Sequence, residues 1–292
     1  MISPVTLAES IPLKIAVTGA TGFIGRHVLA ELETRSVEPI VIVRPSAGKA
    51  HGHFKCSVVQ FDLHSPPSNA FELMGCPDVL IHLAWSGLPN YNSLHHFEQE
   101  LPAQYQFLKN LIESGLQTLV VAGTCFEYGM QSGSLSEGIA VRPSNPYGFA
   151  KDALRCQLEY LKAAHPFQLA WARLFYLYGE GQPESSLLPQ LRRANEGDEQ
   201  IFNMSGGEQL RDYLPVSEVA RYLVLLALAE KDIGIVNVCS GIPISVRKLV
   251  EGWIEENSCS IKLNLGYYPY PDYEPMAFWG DASKLKSVME SI

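Results

Sequence analysis

The sequence predicts a doubly wound α/β fold: a parallel sheet with helices on both faces, and a smaller C-terminal region interleaved with it. Three observations predict it. Short aliphatic and β-branched runs alternate with segments whose apolar residues recur at helical spacing. One run, residues 78–84 (DVLIHLA), is almost wholly apolar, as expected of a strand covered on both faces. A glycine-rich turn follows the first run directly and leads into a helix.

Along the chain, residues 14–18 read as the first strand, 23–34 as the first helix, and 39–43 and 57–61 as the second and third strands. Strand 78–84 follows. Between 95 and 114, Phe97, Leu101, Leu108, Leu111 and Ile112 mark one helix, kinked early by Pro102 and ended by Gly115. A strand at 117–123 (QTLVVAG), a helix at 146–164 and a strand at 167–175 complete the first half. After Tyr178 the pattern loosens. Residues 179–183 and 206–207 are turns, 187–195 a short helix, 216–229 an apolar helix and 235–239 one more sheet strand. The tail 266–280, rich in Tyr and Pro, reads as an ordered loop. The expected division assigns 12–178, with 212–240 returning to it, to the sheet domain, and 179–211 with 241–292 to the smaller region.

With 292 residues, 47% of them hydrophobic, and a mean hydropathy of +0.02, the chain suits a globular protein with a sizeable core. A disordered chain, a fibre or a small disulfide scaffold is excluded. The net charge of −9 and a pI near 5.4 disfavour nucleic acid and anionic lipid as partners, because phosphate affinity comes mainly from Lys and Arg. A small anionic ligand held by a few local cations stays compatible. No stretch approaches the roughly 18 uninterrupted apolar residues of a membrane span. Residues 1–13 lack the basic patch and long apolar run of a signal peptide. Cys56, Cys76, Cys125, Cys156, Cys239 and Cys259 are scattered without metal-like spacing, so reduced buried thiols, a cytoplasmic setting and no metal are expected.

Residues 18–25 (TGATGFIG) supply G-x-x-G-x-x-G between the first strand and the first helix. Gly19 and Gly22 permit a tight turn and a close approach to a pyrophosphate. Gly25 permits close helix–strand packing, and the helix N-terminus offers free N–H groups to the anion. That context supports a Rossmann dinucleotide site over a plain glycine-rich turn. The residue that reads the adenosine ribose belongs at the end of the second strand, where an acid favours NAD and an arginine accommodates a 2′-phosphate. Here Val43-Arg44-Pro45-Ser46 has no acid. Arg44 and Ser46 therefore lean towards NADP(H), with NAD(H) possible and a solvated arginine as the alternative. Asp62 either closes the adenine pocket or starts a turn.

Residues 147–151 (YGFAK) place Tyr147 and Lys151 at i and i+4 on one helix face. A free phenol, with a pKa of about 10, is a poor acid–base group at neutral pH. A neighbouring ammonium is expected to lower it, and the same lysine can bond the nicotinamide ribose. Thr124 stands at the carboxyl end of strand 117–123, where ligands bind in open α/β sheets, and its hydroxyl can bond a substrate carbonyl.

With these pieces the chain resembles the extended short-chain dehydrogenase/reductase family, the NAD-dependent epimerase/dehydratase type. The resemblance rests on TGATGFIG (18–25), HLA (82–84), AGTCFEYG (122–129), PYGFAK (146–151), RLFYLYGEGQ (173–182), RDYLPV (211–216) and NVCSG (237–241). It implies a nucleotide-sugar substrate, a homodimer, and Thr124, Tyr147 and Lys151 as the catalytic trio. The implied cofactor set is Gly19, Gly22, Phe23, Ile24, Gly25, Arg44, Asp62, Leu63, Leu83, Ala84 and Lys151. The implied substrate set is Trp85, Thr124, Tyr147, Tyr176 and Arg211, with Arg211 clamping the pyrophosphate bidentately. An ion pair of Arg211 with Asp212 is the alternative.

Departures from the pattern narrow the branch. Family 4,6-dehydratases carry Thr-Asp-Glu where this chain has Thr124-Cys125-Phe126, so dehydration is not expected. The 3,5-epimerase-reductases place a cysteine at the position of Phe126, and Cys125, one residue off, is read as structural. Glu127 is read as a solvated loop carboxylate. A common family Asn is replaced by Glu100, another by Tyr176, and Tyr91, Tyr178 and the tail around Tyr273 can stack on sugar or base. A 4-epimerase and a 4-keto reductase remain. Arg44 favours the reductase, as do 84–91 (AWSGLPNY) and GTCFEYG, which resemble segments of bacterial dTDP-4-keto-6-deoxyhexose reductases. The expected activity is NAD(P)H-dependent reduction of such a sugar. A non-catalytic NADP-binding regulatory module and a reductase of non-nucleotide ketones are the other classes. The intact trio opposes the first. Arg211, which has no evident partner without a pyrophosphate, opposes the second.

Overall fold

A computed structural model describes residues 13–45, 55–272 and 274–292. Ser46 and Tyr273, two of the positions weighed above, lie outside the described residues. The first part of the chain forms β1 (Ile15–Thr18), α1 (Phe23–Thr34), β2 (Ile40–Val43), β3 (Ser57–Gln60), α2 (Ala70–Leu73), β4 (Val79–His82), α3 (Leu101–Glu113), β5 (Thr118–Thr124), β6 (Gly133–Leu135), α4 (Pro146–Ala164) and β7 (Gln168–Leu174). The second part forms β8 (Tyr176–Tyr178), α5 (Leu187–Glu196), β9 (Ile201–Asn203), β10 (Leu210–Pro215), α6 (Val216–Leu228), β11 (Gly234–Val238), β12 (Pro243–Ser245), α7 (Val246–Glu256), β13 (Lys262–Asn264), β14 (Phe278–Gly280) and α8 (Ser283–Glu290).

Seven strands form one sheet in the order β11-β7-β5-β4-β1-β2-β3. Every pairing in it is parallel. Strand side chains alternate between two cores, as a period of two requires. Ile15 and Val17, Val79 and Ile81, and Val120 face one core with Val28, Leu32, Val219 and Leu223 of α1 and α6. Ala16, Leu80, Leu119 and Val121 face the other with Phe107, Leu111, Leu154 and Leu158 of α3 and α4. Helices therefore cover both faces, and the doubly wound Rossmann-like sheet expected from the sequence is present. The connections diverge at β1, to β2 and β3 on one side and to β4 on the other. The crevice beyond the ends of β1 and β4 is thus the ligand position of such a sheet.

A third core joins Leu188, Leu191, Phe202, Met204, Val250 and Ile261 of α5, β9, α7 and the segment before β13, all from the loosely patterned half. Two local expectations change. The helix expected over 95–114 is present as one continuous helical run from 95 to 113, but its first part, His96–Glu100, is a π-turn that leads directly into α3, just before Pro102. The tail is not loop to its end, because Phe278–Gly280 pairs in parallel with Gly133–Leu135. Leu285 of α8 then packs into the first core.

Candidate active site

The glycine turn after β1 is shaped by close approach. Gly19 has φ +69°, and a Cβ there would lie 2.7 Å from the Ala84 nitrogen. A Cβ on Gly25 would meet the Gly19 carbonyl oxygen at 2.2 Å, so only glycine lets α1 start against this turn. A cavity of about 260 Å3 opens beside it, lined by Gly19, Gly22, Arg44, Asp62, Leu63, Leu83, Ala84, Trp85, Ser86 and Glu100 among others. Phe23, Ile24 and Gly25 are not in that lining; Ile24 packs on the first core and Gly25 seats the helix. The backbone cradle and the cavity, with Arg44 in its wall at the end of β2, fit a dinucleotide. Asp62 lines the cavity and starts a turn, accepting from the His64 backbone nitrogen at 3.0 Å.

Glu100 is fully buried at the cavity wall. Its carboxylate accepts from Ser86 Oγ (2.5 Å), the Ser86 nitrogen (3.2 Å), Gln104 (2.9 Å) and His64 Nε2 (2.7 Å). Burial opposes the charge, but the Ser86 and Gln104 bonds outweigh it and hold the carboxyl at about 2.

At the end of β5, Thr124 caps the short helical turn Cys125–Tyr128, its Oγ1 accepting from the Phe126 nitrogen at 3.3 Å. The start of α4 is set by Asn145, whose Oδ1 accepts from Gly148 N at 2.8 Å, and by Pro146 in the first turn. A Cβ on Gly148 would stand 2.6 Å from the Phe126 carbonyl oxygen, so this glycine lets α4 press against the Thr124 turn. Tyr147 is thereby brought to the Thr124 turn, its ring 6.3 Å from that of Phe126. Rings of Tyr91, His96 and Trp85 surround Tyr147 at centroid distances of 5.6, 5.3 and 6.1 Å. One turn on, Lys151 Nζ donates to the Ala122 carbonyl at 2.9 Å and sits 4.0 Å from the Trp85 ring centroid.

The electrostatics differ from the sequence expectation. Burial, reinforced by Tyr91 and Glu127, pushes the Tyr147 hydroxyl up rather than down, and the nearby Thr124 hydroxyl opposes this only in part. Burial also lowers Lys151 to about 7, against the pull of Glu127 and Glu100. The ammonium is 6.0 Å from the Tyr147 centroid and spends its contacts on Ala122 and Trp85. Tyr147 is therefore a buried phenol holding its proton.

Glu127 is a correction. It is not a solvated loop carboxylate but fully buried, accepting from the Thr124 nitrogen (2.8 Å), Trp171 Nε1 (3.0 Å) and Arg173 Nε (2.6 Å). It fixes the backbone of Thr124 to β7. Cys125 is 6% exposed, and burial raises its thiol further, which keeps it protonated.

Arg211 needs a second correction, since it does have a partner inside the protein. Its Nη2 donates to Glu274 Oε2 at 2.9 Å, and Nη1 to the carbonyls of Leu210 (2.9 Å) and Met276 (3.3 Å). The partner is not Asp212, which accepts from Ser240 and Gly241 instead. Tyr176 OH donates to Glu274 Oε1 at 2.5 Å. Register connects this cluster to the trio: Leu174 pairs with Thr124 across β5 and β7, Tyr176 follows two residues on, and β10 lies beside β8. The sequence carried no sign of Glu274 or Glu127 as partners. Gly148, by contrast, stood in plain view inside YGFAK.

Comparison with known proteins places the chain in a family. The model of the NAD dependent epimerase/dehydratase family matches residues 15–239, and the chain belongs to that family. It is 30% identical over 272 residues, covering 92% of this chain and 99% of the relative, to a dTDP-6-deoxy-L-talose 4-dehydrogenase (NAD(+)) of Aggregatibacter actinomycetemcomitans. It is 28% identical to a dTDP-6-deoxy-L-talose 4-dehydrogenase (NAD(P)(+)) of Kitasatospora kifunensis, covering 91% of this chain and 86% of that one. Among solved structures, MoeE5 in complex with UDP-glucose and NAD superposes with a TM-score of 0.80 at 27% identity, covering 95% of this chain and 92% of the other. Among the described residues no helix is long and apolar enough to cross a membrane, and no group of His, Cys, Asp or Glu is arranged to hold a metal.

Proposed function

We propose that this protein reduces the C4 ketone of a nucleotide-activated 4-keto-6-deoxy sugar, dTDP-linked, to the C4 alcohol with NAD(P)H. The observation that carries the reading is the buried, protonated Tyr147, packed in an aromatic wall beside the carboxyl end of β5 where Thr124 stands. Ketone reduction needs a proton donor at the oxygen, and a phenol that keeps its proton suits that direction. The two relatives named as 4-dehydrogenases act on the same carbon in the reverse sense.

The dinucleotide supplies the hydride that reduces the carbonyl carbon. Tyr147 gives its hydroxyl proton to the forming alkoxide oxygen, and Thr124 donates a hydrogen bond to that oxygen. Lys151 holds the nicotinamide ribose. The aromatic wall of Trp85, Tyr91 and Phe126 excludes water from the reacting oxygen. Glu127 keeps Thr124 in place. Arg44, at the end of β2 where NAD-specific sites carry an acid, favours NADP(H) while leaving NAD(H) usable.

The test is nicotinamide absorbance with purified protein, dTDP-4-keto-6-deoxyglucose and NADPH or NADH. Stoichiometric oxidation of the added cofactor is expected, leaving C4 configuration to NMR. No oxidation, with NAD already carried by the purified protein, overturns the reductase reading in favour of a 4-epimerase.

A further inference from the structure

The Arg211 cluster holds a carboxylate where the nucleotide-sugar reading requires a phosphate. Arg211 is 3% exposed and Glu274 11%. The guanidinium lies over Phe278 at 4.6 Å from its centroid and donates to two backbone carbonyls, so its own position is fixed from behind. Glu274 completes it from the other side, with Tyr176 donating to the second carboxylate oxygen.

The attachment of Glu274 is of a different kind. Pro269, Pro271 and Pro275 surround it and supply no backbone donor. Among the described residues the backbone bonds that fix this stretch flank it: the Tyr267 and Tyr268 nitrogens donate to the Met204 carbonyl, and the Leu210 nitrogen donates to the Met276 carbonyl. Tyr270 is tied through its hydroxyl to Glu208. Between these points the carboxylate of Glu274 is itself an anchor.

A buried guanidinium stripped of its anion is strongly destabilised, so an incoming diphosphate at Arg211 has to replace the carboxylate rather than join it. Joining it would also set two anions within contact of each other. We propose that Glu274 is an internal counter-ion that competes with the substrate diphosphate for Arg211, and so sets the affinity of this site for nucleotide sugars. The proposal rests on the nucleotide-sugar reading above. In this exchange the Tyr176 hydroxyl and Arg211 Nη2 keep their places and change acceptors, from carboxylate to phosphate oxygens, while Nη1 stays on the Leu210 and Met276 carbonyls.

The experiment is calorimetric titration of the purified protein with dTDP and, separately, with thymidine. Glu274→Gln keeps the shape but makes the bond to Arg211 neutral on the acceptor side, which roughly halves its strength. dTDP is expected to bind about tenfold more tightly to this variant, with thymidine binding unchanged. Glu274→Asp, whose shorter side chain draws the carboxylate back from Arg211 and Tyr176, is expected to tighten dTDP in the same direction. It serves as the test should Glu274→Gln fail to fold by circular dichroism. A dTDP affinity that stays equal or weakens in these variants, while Arg211→Gln still loses it, shows Glu274 to be a staple of the loop and overturns the proposal. If Arg211→Gln binds dTDP as well as the unaltered protein does, the nucleotide-diphosphate reading itself fails.

Discussion

Replacing Glu127 with alanine tests the buried link between β5 and β7. The carboxylate is the acceptor for three donors, the Thr124 nitrogen, Trp171 Nε1 and Arg173 Nε, all in a region closed to water. Glu127→Ala leaves the Arg173 guanidinium, 1% exposed, without a counter-charge, and it keeps only its position over the Tyr128 ring at 4.6 Å. Breaking a buried ion pair on one side costs about 3–5 kcal/mol. With a sensitivity of about 2–4 °C per kcal/mol for a chain of this order of size, the expected fall in Tm is about 10 °C. Thermal unfolding by circular dichroism of Glu127→Ala, Arg173→Met and the double variant reads it. The double variant should be less destabilised than the sum of the singles, because no stranded charge remains. A Glu127→Ala protein within about 1 kcal/mol of the unaltered one, or strict additivity, would refute the reasoning. Turnover should fall as well where the variant folds, since Thr124 loses the acceptor that fixes its backbone.

Three further outcomes are expected. Tyr147→Phe removes the proton donor, so turnover should drop by about 10²–10⁴-fold while NADPH binding, followed by fluorescence titration, stays near normal; loss of cofactor binding instead would make Tyr147 a packing residue. Lys151 is lowered to about 7 in the fold and returns to about 10.4 on unfolding. Between those values the unfolded chain binds a proton that the folded one has shed, so stability should rise with pH from about 7 to 10. Without added cofactor, the Tm difference between pH 7 and pH 9 should shrink in Lys151→Met; equal slopes in both proteins would remove the cause. Arg44→Ala should weaken NADPH by about 10–100-fold and NADH little, as expected for a lost charged hydrogen bond, whereas parallel losses in both cofactors would place Arg44 away from the 2′-phosphate.

Much of the frame was legible because it is written in local patterns. Alternation at a period of two and recurrence at a period of 3.6 located the strands and helices of the sheet, including α4 at its observed ends, and the apolar run at 78–84 announced a strand covered on both faces. Tyr147 and Lys151 share a helix face by their spacing alone. The glycine turn could be read from three residues. The π-turn at the start of helix 95–114 could not, because a π-turn depends on what packs against it. In the sequence Pro102 marks a disturbance but not its form.

The sequence alone also failed wherever a buried charge had to find its partner. Glu127 and Arg173 are 46 residues apart, His64 and Glu100 36, and Arg211 and Glu274 63. Nothing local distinguishes these carboxylates from solvated ones. Their roles follow from which strands and loops the fold brings together, and burial then makes pairing obligatory by raising the cost of an isolated charge. The same burial decided the state of Tyr147. Spacing put an ammonium on its helix face, but the closed aromatic wall and the competing contacts of Lys151 with Ala122 and Trp85 left the phenol protonated. Residue types and periodicity thus determined the frame and the candidate trio, because both are set by neighbours along the chain; the charge state and anchoring of the site were decided by the tertiary structure, because both depend on exclusion of water.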